Sequence, residues 1–391
     1  MFQTDSTRDN RTVRYPARYF RFWHGMRFRA YLRLLRKNRF RVHPYRWGMV
    51  GTVAITSLVN SLLYRMQRLT HGRRIDETRI EHPPIFIIGH WRSGTTYLHE
   101  LLVCDDRFGY PTTYECFAPH HFLLTGSILP KLLWFLVPSK RPMDNMAFGF
   151  DRPQEDELAL CAMGAPTPYF RMAFPNHPPV YMEMLNTEGV DPEDLSRFRR
   201  LLVEFVKRLT YRQQRRLVLK SPPHTGRIRL LAELFPGAKF IHVVRDPQAL
   251  FASTVRLWEA LDAANGFQIP HHRHLEELIF TSFERMYDGF ESQRPHVDSD
   301  AICDVRYEDL IRDPMAEIAT IYDKLQLGGF QQVRGKLSAL VASRENYRPN
   351  EHALSEELVA KVEQRWSHYC QKYGYRSAEC RTTNYEGRRQ K

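Results

Sequence analysis

Apolar and polar positions change rhythm along the chain. Residues 17–42 (ARYFRFWHGMRFRAYLRLLRKNRFRV) interleave arginine with Tyr19, Phe20, Phe22, Trp23, Phe28, Tyr31, Leu34 and Leu35. That interleaving predicts a basic amphipathic helix. Such a helix suits an anionic membrane surface, its arginine stems reaching the headgroups, or the flank of a catalytic body with the basic face in water. From Trp47 to Leu63 the chain is mostly apolar, broken by Thr52, Thr56, Ser57, Asn60 and Ser61. A membrane span needs about 20 apolar residues, so a buried or interfacial helix is expected, with a true span as the alternative.

After Pro83-Pro84 the pattern becomes that of alternating strands and helices. Residues 85–88 (IFII) read as a strand, 89–94 as a glycine-bounded turn and 95–103 as a helix. A second unit follows: strand 217–219, turn 220–224, helix 227–235, a Pro-Gly turn at 236–237 and strand 239–244. Arg245-Asp246-Pro247 closes that strand, and a helix starts near Gln248. The alternation predicts an α/β fold with a P-loop-type parallel β-sheet flanked by helices and an N-terminal helical extension. The division is an extension over residues 1–80 and an α/β domain over 81–391.

Composition narrows the setting. The chain has 391 residues and is 43% hydrophobic, enough for a sizeable core. Its six cysteines are scattered, with no C-x-x-C pair, which predicts no metal site and a reducing compartment. The first 40 residues hold too much arginine for a signal peptide. A cytoplasmic protein is expected, with peripheral attachment to the inner membrane face left open. Residues 1–80 carry eighteen Lys or Arg against four acids, a balance of +14, so with a net charge of +13 the rest sums to −1. The near-neutral body argues against specific nucleic-acid binding. The basic extension suits RNA, anionic lipid or an acidic partner. The oligomeric state is not readable.

The turn carries the first chemistry. GHWRSGTT, residues 89–96, has the two-glycine frame of a phosphate loop, but Thr95 stands where an ATP-binding loop has lysine. A strand ending in such a turn and opening a helix aims backbone N–H groups and the helix dipole at one anion. Arg92, Thr95 and Thr96 add a forked cation and two hydroxyls. An ordinary strand-turn-helix corner is the alternative.

The run PIFIIGHWRSGTTYLHELL resembles the 5′-phosphosulfate loop of sulfotransferases, whose signature reads P-R-S-G-T-T. The stretch LKSPPHTGRIRLLAELFPGAKFIHVVRDPQALFAST resembles their second signature, and Tyr307-Glu308-Asp309-Leu310 a third segment near the nucleotide. The resemblance is to bacterial sulfotransferases and, more remotely, to tyrosylprotein sulfotransferases. It implies 3′-phosphoadenosine 5′-phosphosulfate (PAPS) as co-substrate and no metal. Arg92, Ser93, Gly94, Thr95 and Thr96 would then hold the 5′-phosphosulfate. Arg245 and Ser253 would hold the 3′-phosphate, and Tyr307 would lie near the adenine. A local Arg245–Asp246 ion pair and a merely packed Tyr307 are the plainer readings.

Sulfuryl transfer by in-line displacement needs a clamp, a cation at the leaving oxygen and a base. Lys220 stands at a strand end, fifteen residues before Phe235, the spacing of the catalytic lysine in the tyrosylprotein enzymes. Glu115, in PTTYECFAPHH, is the candidate base, with His90, His120, His121 and His224 as competitors. Residues 141–145 and Glu155-Asp156-Glu157 fall between the two halves of the donor site. The three acids are expected to form an exposed helix face, a cationic-acceptor site being the alternative. The acceptor is expected to bear a hydroxyl, or less readily an amine, as glycan, lipid, peptide or small molecule. Two rivals are a P-loop kinase-like phosphotransferase and a non-enzymatic nucleotide-binding membrane adaptor. The first lacks its loop lysine; the second has no use for Lys220 and Glu115.

Overall fold

The computed structural model describes residues 21–136, 149–344 and 354–375. Tyr19, Phe20 and residues 141–145 therefore lie outside the described residues. Five parallel strands form the sheet: β1 (Ile85–Ile88), β2 (Phe108–Gly109), β3 (Arg216–Lys220), β4 (Lys239–Val244) and β5 (Ile302–Arg306). Their order is β2-β3-β1-β4-β5. Helices α1 (Phe28–Lys37) and α2 (Trp47–Glu77) precede the sheet, and α3 (Thr95–Leu102) follows β1. Between β2 and β3 lie α4 (Thr113–Phe117), α5 (Phe122–Thr125), α6 (Leu129–Leu132), α7 (Asp156–Met163) and α8 (Pro192–Gln213). Helix α9 (Ile228–Leu234) joins β3 to β4, and α10 (Pro247–Asn265) and α11 (Leu275–Gln293) join β4 to β5. Then come α12 (Tyr307–Arg312), α13 (Pro314–Lys324), α14 (Phe330–Ala342), α15 (Glu356–Arg365) and α16 (Ser367–Lys372).

The strands are nearly continuous apolar runs because helices cover both faces of the sheet. Phe86, Ile88, Leu217, Leu219, Phe240 and Val244 point into one core layer. Ile85, Ile87, Val218, Ile241 and Val243, the alternate positions, point into the other. The register sets Ile87 of β1 beside Lys220 of β3 and Ile88 beside His242 of β4. The chain after β1, the end of β3 and the chain after β4 and β5 thus share one carboxyl edge, where open α/β sheets bind ligands.

The described part of the predicted 17–42 helix differs from expectation. A short 3-10 turn, Phe22–Gly25, is followed by an extended Met26, and α1 begins only at Phe28. The cause is packing. Gly25 is pressed so close to α4 that a Cβ there would meet the Phe117 carbonyl oxygen at 2.3 Å. Trp23 donates its indole N–H to the Asn265 carbonyl at 2.6 Å. Trp23, Met26, Tyr31, Leu34 and Leu35 all join the sheet's core. These five side chains flank the α/β body, while Phe28 and Phe40 stay exposed.

Candidate active site

The loop after β1 is built by close approach. Gly89 has φ 139°, and a Cβ there would lie 2.4 Å from the Val243 carbonyl oxygen. Gly94 has φ 102°, and its Cβ would run into the Tyr307 ring at 2.2 Å. Both positions require glycine. Helix geometry leaves the first N–H groups of α3 without intrahelical partners, facing the loop. The Ser93 hydroxyl is buried with no hydrogen-bond partner among the described residues, an orphan that an anionic oxygen would satisfy.

Arg92 at the loop tip has φ 69°, a left-handed conformation that costs a non-glycine residue energy. Bonds to the chain after β4 help to hold it there. Its Nε donates to Ser253 Oγ of α10 at 2.8 Å, and Arg245 Nη1 donates to the Arg92 carbonyl at 2.7 Å. The Arg245 guanidinium also lies 4.4 Å above the Tyr307 ring centroid. Asp246 caps α10 by accepting the Ala249 N–H at 3.0 Å, and its own N–H donates to Glu308 at 2.9 Å. Arg92, Ser93, Gly94, Thr95, Arg245, Ser253 and Tyr307 therefore meet at one corner, with Thr96 on the first turn of α3. The two anion sites inferred separately from the sequence are in direct contact.

Lys220 ends β3 with its side chain 1% exposed, and its Nζ donates to Glu155 Oε1 at 2.7 Å. Glu155 is the residue just before α7. Its Oε2 accepts the Tyr169 hydroxyl at 2.6 Å, and that hydroxyl accepts the indole N–H of Trp91 at 2.8 Å. Burial pushes the Tyr169 phenol far above its usual range, so it stays a donor. A chain of polar contacts thus runs from the phosphate loop through Tyr169 to Glu155 and Lys220.

The acids at 155–157 correct the sequence reading. They are not an exposed helix face: Asp156 and Glu157 are fully buried, and the Glu155 side chain is 19% exposed. Each acid has a basic partner in KSPPHTGR. Glu155 takes Lys220, Asp156 takes His224 Nε2 at 2.6 Å, and Glu157 takes Arg227 at 2.8 and 3.1 Å. The last two pairs fix α7 to the end of β3 and so aim Glu155. Glu157→Ala would strand the Arg227 guanidinium in the core. It is expected to destabilise the fold by about 3–5 kcal/mol in chemical denaturation, and a loss under about 1 kcal/mol would show that the pair has little structural weight.

Glu115 has other partners. Its Oε2 accepts the Thr112 N–H at 2.7 Å while Thr112 Oγ1 accepts the Glu115 N–H at 3.2 Å, a capping box for α4. Its Oε1 lies 3.1 Å from Arg212 Nη1. Burial raises its pKa. The same corner receives the chain that leads to Glu155, through Thr113 N–H to the Arg152 carbonyl at 2.8 Å and Gln154 N–H to the Pro111 carbonyl at 2.9 Å.

The histidines are engaged as well. His90 is fully buried with its pKa driven down to about 3, burial lowers His121 to about 4, and burial holds His120 well below the usual range. His224 is held by Asp156. These lowered values predict acid sensitivity. A histidine whose folded pKa lies below its unfolded value of about 6.5 leaves stability intact above 6.5 and removes it as pH falls. For His90 the loss is about 1.4 kcal/mol per pH unit. Melting temperature should drop steadily between pH 6.5 and 4; a flat profile would contradict the buried neutral state.

Known proteins resemble this chain in sequence and in fold. The family model described as "Sulfotransferase family" matches residues 83–332. Omega-hydroxy-beta-dihydromenaquinone-9 sulfotransferase Stf3, from Mycobacterium bovis and from Mycobacterium tuberculosis, is 44% identical over 353 residues, covering 90% of this chain and 91% of the relative. Among solved structures, sulfotransferase STF9 from Mycobacterium avium superposes with a TM-score of 0.64 at 17% identity, covering 85% of this chain and 86% of that one. Sulfotransferase STF1 from Mycobacterium tuberculosis H37Rv gives 0.62 at 18% identity, covering 87% and 92%. At such identities these two bear on the fold alone. The family match and the Stf3 likeness establish more: the chain belongs to the sulfotransferase family.

Proposed function

We propose that this sulfotransferase moves the sulfuryl group of PAPS to the hydroxyl of a lipid-type acceptor. The observation that carries the donor is the contact between the Arg92 loop and the Arg245–Ser253 corner, which offers a nucleotide two adjacent anion seats. The orphaned Ser93 hydroxyl and the Tyr307 ring fit the same ligand. The acceptor class rests on the named activity of the 44% identical relative, which covers 90% of this chain.

The residues divide the work as follows. Arg92 and the α3 N-terminus hold the 5′-phosphosulfate; Arg245 and Ser253 hold the 3′-phosphate. Glu155, released from Lys220 as the donor arrives, takes the acceptor hydroxyl proton. The acceptor oxygen forms a new bond to sulfur as the bond from sulfur to the bridging oxygen breaks. Lys220 donates to that oxygen, and adenosine 3′,5′-bisphosphate leaves with the electron pair. Glu115 is the second candidate base, favoured by its raised pKa. Incubating the protein with ³⁵S-labelled PAPS and fractionated lipid, glycan and protein extracts tests the reading. Label is expected in the lipid fraction. Label only in glycan or protein would overturn the acceptor class, and label nowhere would overturn the reaction.

A further inference from the structure

Helix α2 turns apolar side chains to the outside as well as toward the body. Its inward face carries Ser57, Asn60 and Gln67 beside Val50, Val53 and Ile75. Its outward face carries Ile55, Leu58, Val59, Leu62, Met66 and Leu69, all exposed, with Leu69 at 87%. Their spacing of three and four residues makes one stripe. Water does not favour a contiguous apolar stripe of this size, which marks a contact surface.

The inward side is fastened. Asn60 donates to the His24 and Met26 carbonyls at 2.7 and 3.0 Å and faces His121 Nε2 at 3.1 Å. Gln67 Oε1 accepts the Leu123 N–H of α5 at 2.9 Å. By length and composition α2 could cross a membrane, but these bonds lay one of its sides along the body. The chain running on from α5 exposes a further apolar group, Ile128, Leu132, Trp134 and Phe135. Aromatic and aliphatic side chains of this kind favour the headgroup boundary.

Charge selects the occupant. Residues 21–80 hold fourteen Lys or Arg against two acids, a balance of +12. Arg65, Arg73 and Arg74 are exposed on α2 itself, and Arg29, Arg36, Lys37, Arg39 and Arg41 are exposed on and after α1. Pairing two copies through α2 would bring two such segments together, whereas an anionic bilayer neutralises them.

We propose that α2 lies in the plane of an anionic membrane surface, its outward stripe sunk into the headgroup–acyl boundary and the catalytic sheet held in water above it. The inference rests on this surface alone, although it would give the proposed enzyme access to an acceptor dissolved in the bilayer.

The test is co-sedimentation of the full chain with vesicles of phosphatidylcholine, with or without phosphatidylglycerol. The protein is expected to sediment with the anionic vesicles and to be released by salt. The triple variant L58E/L62E/L69E is expected to lose binding about tenfold or more, with an unchanged circular dichroism spectrum and melting temperature. R65E/R73E is expected to lose only the preference for phosphatidylglycerol. Equal vesicle binding by the parent and the triple variant would overturn the proposal. So would a dimer in sedimentation velocity that the triple variant converts to monomer without any vesicle binding by the parent. Neither outcome bears on the ³⁵S transfer assay, and failure of that assay leaves this one standing.

Discussion

Glu155→Gln is expected to lower kcat by about 10²–10⁴-fold, the usual contribution of a placed general base, and to leave the fold and donor affinity close to the parent's. The amide keeps the shape of the carboxylate and can still meet Tyr169 and Lys220, but it cannot take a proton. Glu115→Gln provides the contrast. Its amide oxygen can still accept the Thr112 N–H, while the charge facing Arg212 is lost. The expected result is a stability loss of about 1 kcal/mol, the scale of a weakened helix cap, with kcat within about tenfold. Both variants would be measured by single-turnover transfer of ³⁵S and by thermal melting. A near-normal Glu155→Gln beside an inactive Glu115→Gln would return the base role to Glu115.

Lys220→Ala is expected to lower kcat by about 10²–10³-fold, the cost of removing one donor aimed at developing negative charge. The side chain is 1% exposed and paired at 2.7 Å, so the variant also leaves Glu155 without its cation. The double variant Lys220→Ala/Glu155→Gln separates the two effects. Groups that act in one transfer step show losses that do not add. Additive losses, or a folded Lys220→Ala with a near-normal rate, would place the lysine outside the reaction.

The strand-turn-helix geometry of the loop after β1 was legible because its logic is local. Strand, turn and helix follow one another between Ile85 and Leu102, and the glycines, Arg92 and the threonines sit where the chain puts them. The place of Lys220 was legible for the same reason: it ends an apolar strand of a parallel sheet and so stands at the carboxyl edge. Glu155 was not. Its partners, Lys220 and Tyr169, lie 65 and 14 residues away, and three acids opening a helix look like a solvated N-terminal turn. The clue was KSPPHTGR, which supplies one basic partner for each acid.

The N-terminal segment shows a different limit. Arginine alternating with aromatics fits a membrane face and a body flank equally well, and only the seat of Trp23 and Gly25 against α4, α7 and the α10 end decides. Of the five polar residues that interrupt 47–63, Ser57 and Asn60 are buried, Thr56 and Ser61 are half-buried and Thr52 is exposed. The polarity of Asn60 marks hydrogen bonds made inside, to the His24 and Met26 carbonyls.

The central claim is that the corner joining Arg92, Ser253, Arg245 and Tyr307 seats a nucleotide carrying phosphates at both the 5′ and 3′ positions. Isothermal titration with adenosine 3′,5′-bisphosphate, 5′-AMP and ATP–Mg tests it most directly. The bisphosphate is expected to bind, 5′-AMP to bind at least about tenfold more weakly for the loss of one anion contact, and ATP–Mg to give no response. Equal affinity for the bisphosphate and 5′-AMP, or preference for ATP–Mg, would contradict it.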